Sequence, residues 1–353
     1  MNQYSLPVAP LAISFCIRLK GVKPLAYLQE ALLQERADIV YAETTDSPQR
    51  RDDNGLVYDC HVAKHYLGAA EDMKFGVNTL IWTAEFGHSE FALLPTIKAA
   101  GFDGVEIPIF RPEKFAASEV GRAIAENDLE CTVCTVLVDG LNLISDSAET
   151  RLKTQIRLQD TIKAAAEMGA TTVVGPTYCP VGYFPGRRRT ADEWAWAIEG
   201  FQALGDTLIA NGVTLAIEPL NRFETYFLNT AADGAALAEQ IDHPNIGILF
   251  DTFHANIEEK DISAGFRTIG KHLKYVHTCE NDRGIPGSGH VEWEDIFRAL
   301  RDIEYDGWLT IESFGFALGD ISSAASIWRD IERSPDLIAF DGIQFLKRMY
   351  ATG

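Results

Sequence analysis

The stretch IANGVTLAIEP (209–219) shows the pattern that decides the fold, because an amphipathic segment ends at a glycine and a short apolar run follows at once. The same order recurs in AAGFDGVEIP (99–108), EMGATTVVGP (167–176) and IEYDGWLTIES (303–313). Gly212 stands where the residue after a helix adopts the left-handed conformation, as do Gly101 and Gly169. A helix that ends at glycine just before a buried strand is typical of repeated strand–helix units around a parallel sheet.

Eight apolar runs of strand length follow Met73, and longer amphipathic segments separate them. We predict strands at 74–81, 103–107, 130–137, 171–175, 213–218, 246–251, 273–277 and 308–312. Eight such units in about 280 residues predict an α/β fold of the (β/α)8 TIM barrel type. A doubly wound open sheet is the alternative, but it normally carries a glycine-rich phosphate loop after its first strand, which NTLIWTAEFG (78–87) lacks.

The helical pattern is clearest in the segment 293–303, and a second example is the segment 152–168. In the segment 293–303, the apolar residues fall on one helical face, beginning with Trp293 and Ile296. The segment 152–168 carries Leu152, Ile156 and Ile162 in the same way. Both segments therefore predict amphipathic helices that cover the barrel.

Residues 1–72 differ from the rest of the chain, because they show no alternation of strands and helices and contain the polar run ETTDSPQRRDDNG (43–55). We interpret them as an atypical N-terminal extension that is partly disordered, or as residues upstream of a natural protein that begins at Met73. The second interpretation is favoured, because residues 73–353 already contain eight strand–helix units. The predicted domains are therefore the extension, 1–72, and a catalytic barrel, 73–353.

The charge balance excludes some kinds of partner. The 353 residues include 51 acidic and 31 basic side chains, which give a net charge of −20. Nucleic acids and anionic membrane surfaces require a basic face, so neither is an expected partner. No run of eighteen apolar residues is present to cross a bilayer, and the first twenty residues do not have the pattern of a secretory signal. We therefore predict a cytoplasmic protein that acts on a small molecule.

The six cysteines do not indicate a disulfide scaffold in a chain of this length. Cys131 and Cys134 form a C-x-x-C pair, but no second pair follows at zinc-finger spacing. Both lie in the apolar run CTVCTVLV (131–138), so we predict buried thiols rather than a zinc or redox site.

Four consecutive predicted strands end at a side chain that can bind a metal ion. The four residues are Glu218, Asp251, His277 and Glu312. In a (β/α)8 barrel the carboxyl ends of the strands form the active-site face, so these side chains would converge on one rim. A helix cap or a surface ion pair explains one such residue well, but it explains four in succession poorly.

A divalent cation would stabilise this group, because three carboxylates cannot all stay ionised at close range without a cost. Three carboxylate oxygens and one imidazole favour Mn²⁺, with Co²⁺ and Mg²⁺ as alternatives. Zinc usually binds more nitrogen or sulfur ligands. The sequence therefore predicts a metal site, with Mn²⁺ as the favoured ion.

The same residues suggest a chemistry. A carboxylate removes a proton from carbon beside a ketone only if the developing enediolate is stabilised, which a metal ion can do. Two carboxylates on opposite faces of that carbon would then invert its configuration. Glu218 and Glu312 end the fifth and eighth strands, so they could flank a substrate and form this pair.

The segments EPLNRFE (218–224), FDTFHANIEE (250–259), HTCENDRGIPGSGHVEW (277–293) and IESF (311–314) resemble the ketose 3-epimerases, the D-tagatose/D-psicose 3-epimerase group of the xylose isomerase-like barrel superfamily. The resemblance covers roughly residues 74–350. It implies metal ligands at Glu218, Asp251, His277 and Glu312, with Glu218 and Glu312 as the acid/base pair. It further implies that Glu224, His254 and Arg283 contact the carbonyl-side hydroxyls of a sugar. It also implies Mn²⁺, Co²⁺ or Mg²⁺, and a homodimer or homotetramer.

Several alternatives stay open at this point. An aldose–ketose isomerase or an inosose or dehydroshikimate-type dehydratase could use the same barrel and metal. The loop Gly284–Gly289 could hold a phosphate through its backbone, although a flexible turn is favoured. Three arginines, Arg187, Arg188 and Arg189, could indicate a phosphorylated substrate, although a solvated charged run is favoured. The preferred ketose does not follow from the sequence.

Overall fold

The structure is a computed structural model, and it describes residues 49–51, 57–59, 73–138, 140–315 and 318–352. The chain divides into two units, residues 1–69 and 70–353. In the first unit, the described residues are two short strands, Gln49–Arg51 and Val57–Asp59, which pair antiparallel. We expected residues 1–72 to be partly disordered. The rest of that segment lies outside the described residues.

The second unit is built on a closed barrel of eight parallel strands, which confirms the predicted fold. The strands are β1 Lys74–Asn78, β2 Gly104–Pro108, β3 Glu130–Cys134, β4 Thr172–Gly175, β5 Thr214–Ile217, β6 Ile246–Asp251, β7 Leu273–His277 and β8 Trp308–Ile311. Each strand pairs with its neighbour in chain order, and β8 pairs with β1 to close the barrel. The first and third predicted strands were too long, because the chain leaves β1 for a 3-10 turn at Thr79–Ile81 and β3 ends at Cys134.

Helices connect successive strands on the outside of the barrel. They are α1 Leu94–Ala100, α2 Ala117–Ala125, α3 Ala148–Met168, α4 Ala191–Gln202, α5 Gly205–Asn211, α6 Ala231–Ile241, α7 Thr252–Glu258, α8 Ile262–Ile269, α9 Trp293–Asp302, α10 Asp320–Ala324 and α11 Pro335–Thr352. As predicted, α1, α3 and α5 end at Gly101, Gly169 and Gly212, whose φ angles are 95°, 93° and 63°. Within the described parts of the chain, no helix combines the length and the apolar character that crossing a membrane requires.

The interior of the barrel is closed by side chains from strands on opposite sides. The Tyr275 hydroxyl lies 2.7 Å from the hydroxyls of both Thr132 on β3 and Thr310 on β8. The buried residues packed with Tyr275 are Leu80, Cys134, Val174, Ala216, Leu249 and Trp308. This plug supports the residues at the carboxyl ends of the strands from below.

The prediction for Leu152 and Ile156 was wrong, because these side chains are 57% and 50% exposed on α3. The buried face of that helix runs instead through Thr154, Leu158 and Ile162. Each exposed residue precedes a buried one by two positions, which is about 200° around an α-helix. The apolar content of this segment was therefore identified correctly, but its face was not.

Cys131 and Cys134 are buried free thiols, as predicted. Burial raises the pKa of Cys131 to about 12, and the charge of Glu130 adds to the shift. Burial also raises the pKa of Cys134 well above its usual value. Both thiols therefore stay protonated at neutral pH and are poor metal ligands and nucleophiles.

Candidate metal centre and substrate pocket

The four predicted metal ligands come together at the carboxyl ends of neighbouring strands. Glu218 directly follows β5, Asp251 and His277 are the last residues of β6 and β7, and Glu312 directly follows β8. One ligand atom of each lies within 4.8 Å of those of the other three. All four side chains are buried. The structure thus places three carboxyl groups and one imidazole in a space that a single cation could fill.

Burial and mutual charge give the two glutamates opposite protonation behaviour. Burial raises the pKa of Glu218 well above its usual value, and the charge of Glu312 raises it further. Burial alone would also raise the pKa of Glu312, but His277 and Arg283 lower it to about 2. The surroundings therefore favour the protonated form at Glu218 and the ionised form at Glu312.

His277 presents an unused ring nitrogen to this group. Its Nε2 atom lies 3.0 Å from Oε1 of Glu106, whereas its buried Nδ1 atom makes no hydrogen bond to any described residue. Nδ1 lies 3.2 Å from Oε2 of Glu312 and 3.8 Å from an oxygen of Glu218 and of Asp251. An orphaned buried nitrogen among three carboxyl groups fits a metal ligand, because a metal ion would satisfy all four groups at once.

Arg283, a predicted substrate contact, lies against the candidate ligands. Its Nη1 atom donates to Oδ2 of Asp251 over 2.7 Å and to Oε2 of Glu312 over 3.0 Å. The guanidinium carbon lies 4.2 Å from the ring centre of Phe253 and 5.2 Å from that of Phe314. Two rings and two carboxyl groups therefore fix the position of this cation.

His254 and Glu224, the other two predicted contacts, lie beside Arg283. Nε2 of His254 is 3.2 Å from Nη2 of Arg283, and its Nδ1 is 3.2 Å from the backbone nitrogen of Asn221. Burial lowers the pKa of His254 to about 3. The charge of Asp251 opposes this shift, and the Arg283 cation adds to it, so the ring is neutral. Glu224 accepts a hydrogen bond from the Asn221 side chain over 2.8 Å, and burial raises the pKa of Glu224.

These groups form one wall of a pocket that encloses about 820 Å³, including the part of its mouth that opens to solvent. The rest of the lining is mainly apolar, and it includes Leu80, Phe110, Val136, Val174, Val181, Phe314, Ile321 and Ala325. The pocket therefore combines charged and hydrogen-bonding groups with an apolar lining.

The loop Gly284–Gly289 does not offer its backbone to a phosphate. The carboxyl group of Glu280 accepts hydrogen bonds from the backbone nitrogens of Gly287 and Val291 and from the indole of Trp293, at 2.8–3.0 Å. Glu280 is fully buried. An internal carboxylate therefore already accepts from the backbone nitrogen of Gly287, which a bound anion would need.

The arginine run beyond β4 is also used internally. Arg187 forms two hydrogen bonds with Glu193, at 2.9 and 3.0 Å, and Arg189 forms two with Asp233, at 2.8 and 2.9 Å. Both arginines thus have carboxylate partners on helices, and neither is among the residues that line the pocket. The interpretation of this run as simply solvated was therefore incomplete.

The sequence analysis missed two buried residues behind the candidate ligands, Asn78 at the end of β1 and Glu106 within β2. Nδ2 of Asn78 donates to Oε1 of Glu106 over 2.7 Å and to Oε1 of Glu312 over 3.2 Å. A signal was present, because polar residues in otherwise apolar strands are unusual. Both residues lie in the first two strands, away from the ends of the last four strands, where the candidate ligands lie.

Comparison with known proteins places the chain among sugar epimerases. The model of the xylose isomerase-like TIM barrel family matches residues 94–349. A probable ketose 3-epimerase from Synechocystis is 37% identical over 280 residues, which cover 79% of this chain and 98% of the relative. A D-psicose 3-epimerase from Agrobacterium fabrum is 31% identical over 76% of this chain and 94% of its own.

A solved structure agrees with this relationship. The crystal structure of a D-allulose 3-epimerase from a Methylomonas species, in complex with D-allulose, has a TM-score of 0.75 and 26% sequence identity. The match covers 79% of this chain and 98% of that chain. Both the sequence and the fold thus relate the described barrel to the same group of proteins.

Proposed function

Because the chain belongs to the ketose 3-epimerases of the xylose isomerase-like TIM barrel family, we propose that it epimerises a free ketose at C3 through an enediolate. The observation that carries this proposal is the convergence of Glu218, Asp251, His277 and Glu312 within 4.8 Å, because three of them, Glu218, His277 and Glu312, line the pocket. Such a group combines ligands for a metal ion with acids that can transfer protons. The proposed enzyme is thus a metal-dependent isomerase.

Glu218 and Glu312 form the proposed acid/base pair. They follow β5 and β8, which are three strands apart around the barrel, so they can address a bound substrate from two sides. Each carboxyl group can act as the base when it is ionised and as the acid once it has taken up a proton. Removal of the C3 proton by one glutamate and its replacement by the other inverts the carbon. In the reverse reaction the two exchange roles.

A divalent ion is the proposed cofactor, with Glu218, Asp251, His277 and Glu312 as ligands. Three carboxyl oxygens and one imidazole favour Mn²⁺, and Co²⁺ and Mg²⁺ are the alternatives. When bound, the ion supplies positive charge that stabilises the enediolate. The orphaned Nδ1 of His277 supports this assignment, since no donor or acceptor in the described parts of the chain satisfies it.

Arg283, His254 and Glu224 are the proposed contacts to the carbonyl-side hydroxyls. Arg283 is a fixed donor, His254 is a neutral imidazole, and Glu224 lies beside both. The apolar lining would then face the far carbons of the sugar. An unphosphorylated substrate is supported by the internal pairing of Arg187 and Arg189.

Isotope exchange tests the reaction. The Mn²⁺-loaded protein is incubated in D2O with a panel of ketohexoses and ketopentoses, and the products are analysed by NMR. We expect deuterium at C3 together with the inverted configuration. Deuterium at C1 or C2 would instead identify an aldose–ketose isomerase, and formation of an unsaturated product by loss of water would identify a dehydratase.

The assembly state and the cellular location of the protein stay predictions. We propose a homodimer or homotetramer, which light scattering on the purified protein would measure. The cytoplasmic location expected from the sequence would be tested by fractionation of the source cells.

A further inference from the structure

Glu106 is a buried carboxyl group that the proposed reaction leaves without a role. It lies in the middle of β2, in the first half of the barrel, and its side chain is fully buried. It is not one of the four candidate ligands. Burying a carboxyl group is costly unless its oxygens are hydrogen-bonded or paired, so its contacts indicate what it does.

The first contact is with His277. Oε1 of Glu106 lies 3.0 Å from Nε2 of the imidazole. A carboxylate only accepts hydrogen bonds, so Nε2 carries the hydrogen and the neutral ring keeps its lone pair on Nδ1. Nδ1 is the atom that faces Glu218, Asp251 and Glu312. The bond to Glu106 therefore selects both the tautomer and the ring orientation that metal binding requires.

The second contact reaches another candidate ligand through Asn78. The Asn78 side chain accepts from the backbone nitrogen of Leu80 over 2.9 Å through Oδ1, which turns Nδ2 toward the acids. Nδ2 then donates to Oε1 of Glu106 over 2.7 Å and to Oε1 of Glu312 over 3.2 Å. Asn78 thus holds one oxygen of Glu312 and leaves Oε2 on the side of His277 Nδ1.

The ion pairing of Glu106 involves a candidate metal ligand. Among the described residues, its only ion-pair partner within 4 Å is His277. Its remaining oxygen, Oε2, has the Thr132 hydroxyl at 3.5 Å. A carboxyl group used only for structural stability would be expected to pair with an arginine or lysine, as Glu193 does with Arg187. Glu106 pairs instead with the candidate ligand His277 and shares the Asn78 amide with Glu312.

We propose that Glu106 is a positioning residue that orients His277 directly, and Glu312 through Asn78, for binding of the divalent ion. The inference rests on the proposed metal site and adds Glu106 and Asn78 to it. Carboxylate partners of metal-binding histidines typically change metal affinity by about 10- to 100-fold. We therefore expect the effect of Glu106 to be on metal affinity first and on turnover through it.

The test measures Mn²⁺ binding directly. Wild-type protein and the Glu106→Gln variant are stripped with a chelator and titrated with Mn²⁺ by calorimetry. Glutamine keeps the shape and one acceptor oxygen but loses the charge, so we expect Kd to rise by about 10-fold or more. Glu106→Leu, which removes both the charge and the acceptor oxygens, should raise the Kd for Mn²⁺ further. Activity of Glu106→Gln should recover when Mn²⁺ is saturating, because the acids that transfer protons are unchanged.

Glu193→Gln is the matched control. Glu193 is also a buried glutamate, but it binds Arg187, the backbone nitrogen of Thr190 and the Tyr226 hydroxyl, away from the candidate ligands. Its loss should lower the melting temperature and leave the Kd for Mn²⁺ unchanged. A change in Kd that appeared in both variants would reflect general destabilisation and would overturn the inference.

The outcomes separate the two proposals. If wild-type protein binds Mn²⁺ and Glu106→Gln binds it equally well, the role of Glu106 is wrong and the metal site stands. If folded wild-type protein binds no divalent ion, the metal site fails and the positioning role fails with it. A variant that binds weakly and stays inactive at saturating Mn²⁺ would place Glu106 in the proton transfer instead, which also contradicts the inference.

Discussion

Arg283 donates a hydrogen bond from Nη1 to Oε2 of Glu312 over 3.0 Å, although the two residues follow different strands of the barrel. The backbone of Arg283 has a φ angle of 67°, a conformation that side chains other than glycine rarely adopt. Its nitrogen donates to the oxygen of Glu280, and its oxygen accepts from the Ser313 hydroxyl over 2.7 Å. The segment after β8 therefore holds Arg283 twice, through the carboxylate of Glu312 and through the hydroxyl of Ser313.

The first prediction concerns this arginine. Arg283→Lys should lower kcat/KM by about 10- to 100-fold, since a hydrogen bond to a charged group contributes about 1.5–3 kcal/mol and lysine cannot reproduce the planar contacts with two acids and two rings. Steady-state kinetics on a ketose substrate would measure it. Arg222→Lys is the control, because Arg222 is 61% exposed and pairs with Glu258, and neither residue lines the pocket. Equal kinetics for the two variants would contradict the role of Arg283.

The second prediction concerns the acid/base pair. Glu218→Gln and Glu312→Gln should each lower kcat by about 10²- to 10⁴-fold, because glutamine keeps the shape but cannot transfer a proton. Circular dichroism should show that the fold is retained. Metal content must be measured beside activity, since both residues are also proposed ligands. Glu258→Gln, a change at a buried acid outside this group, should have little effect. Retention of more than about a tenth of the wild-type rate would refute the assigned role.

The third prediction concerns removal of the metal ion. Dialysis against a chelator should abolish activity, and Mn²⁺ or Co²⁺ should restore it. A ligand that binds only the folded state, at about 100 times its Kd, stabilises that state by about 2.7 kcal/mol. The melting temperature should therefore rise as Mn²⁺ is added back to the stripped protein. Full activity in protein shown by elemental analysis to be free of metal would end the metal hypothesis.

The fourth prediction concerns pH. Burial raises the pKa of Glu218. Burial alone would lower the pKa of His277, but the charges of Glu312 and Glu106 outweigh burial and raise the pKa of this imidazole. A raised pKa keeps the proton bound to higher pH, and protons compete with the metal ion for these ligands. The affinity for Mn²⁺ should therefore increase with pH, with release of protons on binding. Calorimetry in buffers of different ionisation enthalpy would measure both, and a Kd that is the same at about pH 6 and about pH 8 would contradict the prediction.

The fifth prediction concerns residues 1–72. Protein shortened to residues 73–353 should fold and turn over like the full chain, because β1 pairs with β8 and closes the barrel without a strand from upstream. The proposed site residues also all follow position 73. Melting temperature and kcat of the two proteins would be compared side by side. A shortened protein that was insoluble or inactive would show that the upstream residues are required.

The sequence alone was sufficient for the barrel and for the four candidate ligands. Strand–helix alternation is a local property, so the eight strands could be located from short apolar runs, with the larger errors at the ends of the first and third and errors of one residue at the ends of four others. The active-site face is a property of the fold class, so Glu218, Asp251, His277 and Glu312 followed from their positions at strand ends. The face of α3 was predicted less well, because apolar content alone does not say which side of a helix is covered.

Only the tertiary structure decided what surrounds those ligands. Glu106 binds His277 across 171 positions of the chain, and Asn78 binds Glu312 across 234. Closure of the barrel brings the first strands against the last ones, and the register of their pairing determines which side chains point inward at the same level. Such contacts depend on the geometry of the complete ring rather than on any local pattern, so no single segment of the sequence encodes them.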